Sequence, residues 1–101
     1  MPVFEATDKL KRKIKFTAER KAHISLRHPE IIEFDVFESV LVEPDIIKSS
    51  IYDDKVLLYY KEVGKDYRYL AIVVKVLNGE GFILTAYKTN IIKEGKVVWK
   101  N

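Results

Sequence analysis

The chain has 101 residues, 48% hydrophobic and 33% charged, which suits one folded domain over residues 1–101 and excludes intrinsic disorder. The absence of cysteine excludes disulfides, thiolate metal sites and cysteine nucleophiles. The net charge is +3, and no apolar run reaches the roughly 20 residues of a membrane span or forms a signal-peptide core, so we expect a cytoplasmic protein.

Charge is distributed unevenly along the chain. Residues 1–30 contain 8 Lys and Arg against 4 Asp and Glu, residues 31–62 contain 3 against 8, and residues 63–101 contain 7 against 3. If the first and last thirds meet in the fold, they form a basic face that suits a polyanion. Solvated surface charge is the alternative, and charge alone favours it.

The first part of the chain predicts a strand and two helices. We expect residues 1–9 to be a loosely ordered lead-in, and residues 10–16, which end in alternating basic and apolar side chains, to form an edge strand. A helix should begin after Thr17, a residue suited to the N-cap, and end near residue 28, because Pro29 disfavours helical geometry in the residue before it. A second helix is expected over residues 35–42. The apolar stripe of the first helix is Ala18, Ala22 and Leu26.

The remainder of the chain predicts consecutive strands. Strands over residues 56–60 and 97–99 flank a central hairpin, whose two strands cover residues 69–77 and 82–89. Helices followed by antiparallel strands indicate an α+β fold, with two N-terminal helices on one face of a twisted antiparallel sheet of about four to five strands. The other face of the sheet is then free for binding.

The central hairpin places polar groups on one of its faces. Thr85, Tyr87 and Thr89 alternate along the second strand and therefore share a face. Lys75 joins them if the loop has three residues, 79–81, with its last glycine in the left-handed conformation, whereas a two- or four-residue loop places it on the other face. We expect the three-residue loop because it groups the lysine with the hydroxyls. A snorkelling lysine and ordinary strand-forming hydroxyl residues are the structural alternative.

The densest polar cluster surrounds the end of the first helix and contains both histidines. His23 and Arg27 are one turn apart and can address one ligand, while His28 projects from the helix end. Histidine exchanges protons near neutral pH and arginine binds phosphate through paired hydrogen bonds, which suits phosphodiester chemistry. The structural alternative is that His23 is only a half-exposed residue of the helix and that His28 caps the C-terminal end of the helix. No metal site is predicted, because histidines five residues apart do not converge on a helix.

Several segments resemble, in order, the phage-associated nucleases of the barnase, EndoU, colicin and RelE-like superfamily, which share the BECR fold. These segments are His23-Ile-x-x-Arg27-His28-Pro29-Glu30, Glu43-Pro44-Asp45, Leu58-Tyr59-Tyr60-Lys61, the strand bearing Lys75, and Thr85-Ala86-Tyr87-x-Thr89. The resemblance implies metal-independent, cofactor-free RNA cleavage, in which the ribose 2′-hydroxyl attacks its own phosphate and leaves a 2′,3′-cyclic phosphate.

The resemblance also implies roles for single residues and partners. It assigns four catalytic residues, a proton carrier followed by groups that hold or stabilise the phosphate: His23, Arg27, Lys75 and Thr85. Four further residues bind the substrate, with the tyrosine stacking on a base: His28, Tyr87, Lys88 and Thr89. The implied partners are RNA, including tRNA, and an antitoxin or immunity protein if the chain is a toxin. We expect a monomer or weak homodimer. The alternatives are a non-catalytic module that binds RNA or protein, and an oligomerising structural protein.

Overall fold

The computed structural model of the chain describes residues 2–31, 34–64 and 66–101. Its elements, in chain order, are β1 Pro2–Thr7, β2 Lys13–Thr17, α1 Ala18–Arg27, α2 Val36–Val42, β3 Ile46–Ser50, β4 Val56–Glu62, β5 Tyr69–Leu77, β6 Glu80–Thr89 and β7 Gly95–Lys100. All these strands belong to one sheet with the order β1-β2-β6-β5-β4-β3-β7. Neighbouring strands are antiparallel except β2 and β6, which are parallel.

The predicted fold, an antiparallel sheet of about four to five strands behind two N-terminal helices, is wrong. The sheet is mixed and has seven strands, and the two short helices lie between β2 and β3 in the chain. Residues 2–7, expected as part of a lead-in, form β1, because Ala6 lies opposite Ile14 and both side chains enter the core. Residues 46–50, for which no strand was predicted, form β3, which pairs with β4 and β7.

The main core lies between the sheet and α2. Alternate residues of β5 point into it and are buried, as the period of a strand requires: Leu70, Ile72 and Val74. Ile83 and Ala86 of β6 enter the same core three residues apart, because a bulge lies between them. From α2, Phe37, Val40 and Leu41 meet them at helical spacing. The Phe16 ring of β2 packs 5.3 Å from the Phe37 ring, measured between centroids. The helix α2 is therefore the core helix of the fold.

In contrast, α1 is anchored by a single buried residue, Ile24. The predicted N-cap is confirmed, because the Thr17 hydroxyl accepts the N–H of Arg20 at 3.2 Å. The predicted apolar stripe is wrong: its residues are exposed, Leu26 by 82%. Because α1 packs beside β6 and β2 and not over the centre of the sheet, most of its surface faces solvent.

The sheet face opposite α2 is partly covered, although we expected it to be free. The segment joining β6 to β7 crosses this face to reach the far edge of the sheet. Its Ile92 packs against Leu58, Tyr60 and Ala71 in a second small core. The N–H of Lys93 donates to the Tyr60 hydroxyl at 3.1 Å. The surface left for binding is therefore smaller than the sequence indicated.

The turn of the central hairpin has two residues, so the predicted three-residue loop is wrong. Asn78 and Gly79 both have positive φ, 54° and 81°, and the flanking Leu77 and Glu80 pair across the turn, as in a type I′ hairpin. Lys75 nevertheless shares a face with Thr85 and Tyr87. The register shifts between Val73 and Val74, so that Leu84 is one extra residue on β6 and reverses the side-chain alternation.

Candidate functional site

The predicted catalytic residues lie in separate places of the fold. His23 and Arg27 are exposed on α1, and no hydrogen bond or ion pair within residues 2–31, 34–64 and 66–101 involves their side chains. Lys75 lies on β5, whereas α1 packs beside β6, β2 and β1. The structure therefore does not bring His23, Arg27 and Lys75 together around one phosphate.

Lys75 is held by an ion pair within the protein. Its ammonium donates to the carboxylate of Asp53, in the turn between β3 and β4. Asp53 also accepts the N–H of Lys55 at 2.9 Å. The hydrogen bond from Lys75, followed by that from the Lys55 backbone, lowers the pKa of Asp53 below its ordinary value of 3.8. The carboxylate is thus charged at neutral pH, and its ion pair with the Lys75 ammonium stabilises the turn between β3 and β4.

Two of the predicted substrate-binding residues do meet. The rings of His28 and Tyr87 lie 6.1 Å apart between centroids. His28 is the C-cap of α1 and donates its backbone N–H to Ile24 at 2.7 Å. Its Nδ1 lies 3.5 Å from a carboxylate oxygen of Glu30, and the Lys93 ammonium lies 5.3 Å from the centroid of the Tyr87 ring. This end of α1 therefore combines a histidine, a carboxylate, a phenol and a cation.

The hydroxyls of Thr85 and Tyr87 are buried, and neither has a hydrogen-bond partner in the described part of the chain. The Tyr60 hydroxyl is near enough to influence the ionisation of Tyr87, but the pair does not meet hydrogen-bond geometry. Burial raises the pKa of Tyr87 and raises that of Tyr60 to about 12, so both phenols are neutral donors. A buried hydroxyl without a partner costs about 1–3 kcal/mol, and such groups mark ligand or water sites.

The last two predicted residues do not join this group. Lys88 lies opposite Leu70, which belongs to the main core, so its side chain leaves the sheet on the α2 side and away from Tyr87. The Thr89 hydroxyl accepts the N–H of Ile91 at 3.1 Å. That bond closes a local turn where β6 ends, which is a structural role.

A buried charge network was missed by the sequence reasoning. Among the described residues, Asp8 is the buried charged residue, with 3% of its surface exposed. Its carboxylate accepts the N–H groups of Leu10 and Arg12 at 3.0 and 2.7 Å, and the hydroxyl of Tyr59. Burial, then the bond to Asp8, raises the pKa of Tyr59 far above its ordinary value. An Asx turn at Asp8 is readable from sequence, whereas its partner 51 residues away has no local signal.

A shallow cleft of about 140 Å³ lies where the β1–β2 turn approaches β7. It is lined by Lys9, Glu43, Pro44, Lys61, Trp99 and Asn101. The Lys9 ammonium lies 5.1 Å from the centroid of the Trp99 ring, and the Lys61 ammonium donates to the Glu43 carbonyl at 2.8 Å. Ligand pockets for whole small molecules span roughly 300–1,000 Å³, so this cleft admits a single small group.

Ion pairing distinguishes the cations of the sheet from those of α1. Four cations on or beside the strands face carboxylates, in the pairs Lys13–Glu5, Lys15–Glu80, Arg68–Glu62 and Lys75–Asp53. On α1, Arg20, Lys21 and Arg27 are exposed, and no carboxylate of the described residues pairs with them. Lys21 instead lies 5.1 Å from the centroid of the Phe34 ring. Within the described part of the chain, the exposed side of α1 is therefore a basic surface whose cations are not paired with carboxylates.

Metal-binding groups and membrane-spanning helices are two further features that indicate a function. Within the described ranges, no group of three or more His, Asp or Glu side chains is arranged to bind a metal ion. The helices that the structure describes are too short and polar to cross a membrane.

Searches against models of protein families, against curated proteins and against solved structures found no match for this chain.

Proposed function

We propose that this chain binds RNA through α1, because the cations of this helix are exposed and no carboxylate in residues 2–31, 34–64 and 66–101 pairs with them. The helix carries three Lys and Arg residues and His23 against the single carboxylate of Glu19. A surface of this kind binds phosphates by releasing their counterions. RNA, including tRNA, is the ligand that the family resemblance implies.

His28 and Tyr87 extend the proposed surface at the C-terminal end of α1. Both rings are half-buried and lie side by side, next to the exposed Arg27. Aromatic and histidine rings beside cations are the groups on which unpaired bases stack. Single-stranded RNA is therefore the proposed ligand, with the phosphates along α1 and a base near these rings.

The proposal is tested by measuring the anisotropy of labelled single-stranded RNA and of tRNA at several salt concentrations. For three phosphate contacts the slope of log K against log salt is about −2, so the affinity falls roughly twentyfold between about 50 and 200 mM salt. The variant Arg20→Gln/Lys21→Gln/Arg27→Gln should lose most of the binding and its salt dependence.

The matched control is Lys13→Gln/Lys15→Gln/Arg68→Gln, which removes three cations that are paired within the protein. We expect its affinity for RNA to stay near that of the unaltered chain. Equal losses in the two variants would show that net charge alone attracts RNA, and the absence of binding by the unaltered protein would refute the proposal.

A second function, metal-independent ribonuclease, is favoured by one contact, that between His28 and Glu30. A carboxylate 3.5 Å from Nδ1 orients the imidazole, as a general acid or base requires. We place the proton transfer on His28 and the stabilisation of phosphorane charge on Arg27. Lys75, paired with Asp53, is left out of the proposed machinery.

Cleavage is tested with purified protein, tRNA and labelled single-stranded RNA in EDTA, followed by analysis of the product ends. A ribonuclease should yield 2′,3′-cyclic phosphates, and the activity should be lost in His28→Ala but retained in Lys75→Ala. Activity that survives in His28→Ala, or that disappears in EDTA, would contradict this assignment. Binding without cleavage leaves the RNA-binding proposal intact and removes the nuclease.

A further inference from the structure

Strand β7 forms an open edge of the sheet. It pairs with β3 on one side, and no strand within the described ranges pairs with its other side. The backbone N–H and C=O groups on that side form a template for an added strand. Val97 and Val98 there are 49% and 36% exposed. At the opposite edge, β1 begins with Pro2, which lacks an N–H.

Lysines lie beside this edge on both faces of the sheet, and the cleft beside Trp99 is lined by one acidic residue, Glu43. Trp99 lies opposite Ile47 of the main core and Val97 lies opposite Lys48, so the two side chains point to different faces. Lysines flank each face: Lys9 and Lys61 lie beside Trp99, and on the other side lies Lys48, whose ammonium donates to the backbone carbonyl of Lys93 at 3.1 Å. Together with Lys96 and Lys100 of β7, none of them pairs with a carboxylate of the described residues.

The cleft beside Trp99 provides a pocket for one side chain of an added strand. Its volume of about 140 Å³ equals that of about five water molecules in the liquid. The Lys9 ammonium lies over the Trp99 ring, and the Lys61 ammonium is held at the Glu43 carbonyl. The group that best fits two ammonium ions in so small a space is a carboxylate.

We propose that β7 is a docking edge for an extended, acidic segment of a partner protein. The segment adds one strand to the sheet, with backbone hydrogen bonds supplying affinity and alternate side chains supplying specificity. One carboxylate enters the cleft between Lys9 and Lys61, and others face Lys96 and Lys100. Pairing between two copies of β7 is disfavoured, because antiparallel pairing brings the lysines of the two strands together.

The edge lysines also explain why an acidic partner is required. Charged residues on an edge strand prevent pairing with neutral strands of other chains. An opposite-charge pair across two strands stabilises their pairing, and like charges directly opposite each other destabilise it. The same lysines that block self-association therefore select a segment rich in Asp and Glu.

The experiment titrates the protein with blocked peptides of alternating valine and glutamate, valine and lysine, or valine and glutamine. Trp99 is the single tryptophan of the chain and reports binding at the cleft by its fluorescence, while amide chemical shifts report hydrogen bonding along β7. We expect the glutamate peptide to bind at least tenfold more tightly than the glutamine peptide, and the lysine peptide not to bind. Equal binding of the peptides, or amide shifts that exclude β7, would overturn the proposal.

The variant Lys96→Glu/Lys100→Glu should reverse the preference, losing about tenfold or more in affinity for the glutamate peptide and binding the lysine peptide. Both lysines are exposed, so an unchanged urea midpoint verifies that the variant folds. Arg20→Glu/Lys21→Glu on α1 should leave peptide binding unchanged while weakening RNA binding. A loss of RNA binding in the β7 variant, with no effect on the peptides, would mean that this edge binds nucleic acid and would refute the protein-docking proposal.

Discussion

Replacing Asp8 by alanine is expected to lower the free energy of unfolding by about 3–5 kcal/mol. The carboxylate is the acceptor for three donors, the N–H groups of Leu10 and Arg12 and the hydroxyl of Tyr59. The two backbone groups lie in half-buried residues of a surface turn and regain water in part, at about 1 kcal/mol each. Tyr59 is fully buried, so its hydroxyl has no access to water and contributes a further 1–3 kcal/mol, roughly.

Two matched variants separate the contributions of charge and of hydrogen bonding. Asp8→Asn keeps an oxygen that accepts the backbone N–H groups of Leu10 and Arg12 but removes the negative charge, and we expect an intermediate loss. Tyr59→Phe removes one donor and leaves the turn intact, with an expected loss of about 1–2 kcal/mol. Because the two side chains share one hydrogen bond, the double variant Asp8→Ala/Tyr59→Phe should lose about 1 kcal/mol less than the sum of its parts.

Urea unfolding at neutral pH measures these differences. A domain of this size typically has a stability of about 5–15 kcal/mol and an m-value of about 1–3 kcal/mol per molar. Asp8→Ala should therefore shift the midpoint by about 2 M. A loss under about 1 kcal/mol, or additive effects of Asp8→Ala and Tyr59→Phe, would refute the view that this buried network holds the β1–β2 turn to the core.

Three further perturbations follow from the structure. Stability should decline as pH rises above about 10, because burial raises the pKa of three phenols above the value of 10.0 and the unfolded chain then releases their protons first: Tyr59, Tyr60 and Tyr87. Urea midpoints measured between about pH 9 and 11 that stay constant would contradict this. The stabilisation by Asp53 is present above its ordinary pKa of 3.8 and disappears as pH falls toward its lowered value, so Asp53→Asn should be less acid-sensitive, as followed by circular dichroism. In Gly95→Ala the new Cβ collides with the backbone carbonyl of Ser49, so hydrogen exchange should accelerate selectively in β7, whereas uniform protection would rule out the collision.

In the central hairpin, local sequence predicted the positions of the strands but not the length of the turn or the bulge. Two apolar runs around a glycine-containing turn predicted both strands of the hairpin, and β5 and β6 are there. The turn residues were wrong, because Asn78 takes the left-handed conformation as readily as a glycine here. The two-residue turn placed each side chain of β6 on the face opposite to the one predicted. The bulge at Leu84, which was not predicted, returned the residues after it to the predicted face. Lys75 reached the expected face only because these two errors cancelled.

The number of strands in the sheet was underestimated, because two short strands are stabilised by pairing with their neighbours and not by their own sequence pattern. β1 and β3 are short, with six and five residues, and each is stabilised by strands that the local pattern does not identify. The parallel pairing of β2 with β6 connects residues more than sixty positions apart, such as Ile14 and Gly81. Hydrophobic alternation indicates that a segment is a strand, but not which strand lies beside it.

The surroundings of each predicted site residue could not be read from sequence for a related reason. Whether a lysine is free to bind phosphate depends on which carboxylates the fold brings to it, and Asp53 reaches Lys75 across 22 residues of sequence. Among the described cations without a carboxylate partner, one group lies on α1, beside β6 and β2, and another lies around β7 at the far edge of the sheet. Strands β5, β4 and β3 separate β6 from β7, so an RNA on α1 and a strand on β7 do not compete for the same side chains. Simultaneous binding is the consequence, and saturation of the protein with the glutamate peptide should leave its affinity for single-stranded RNA unchanged apart from the added negative charge.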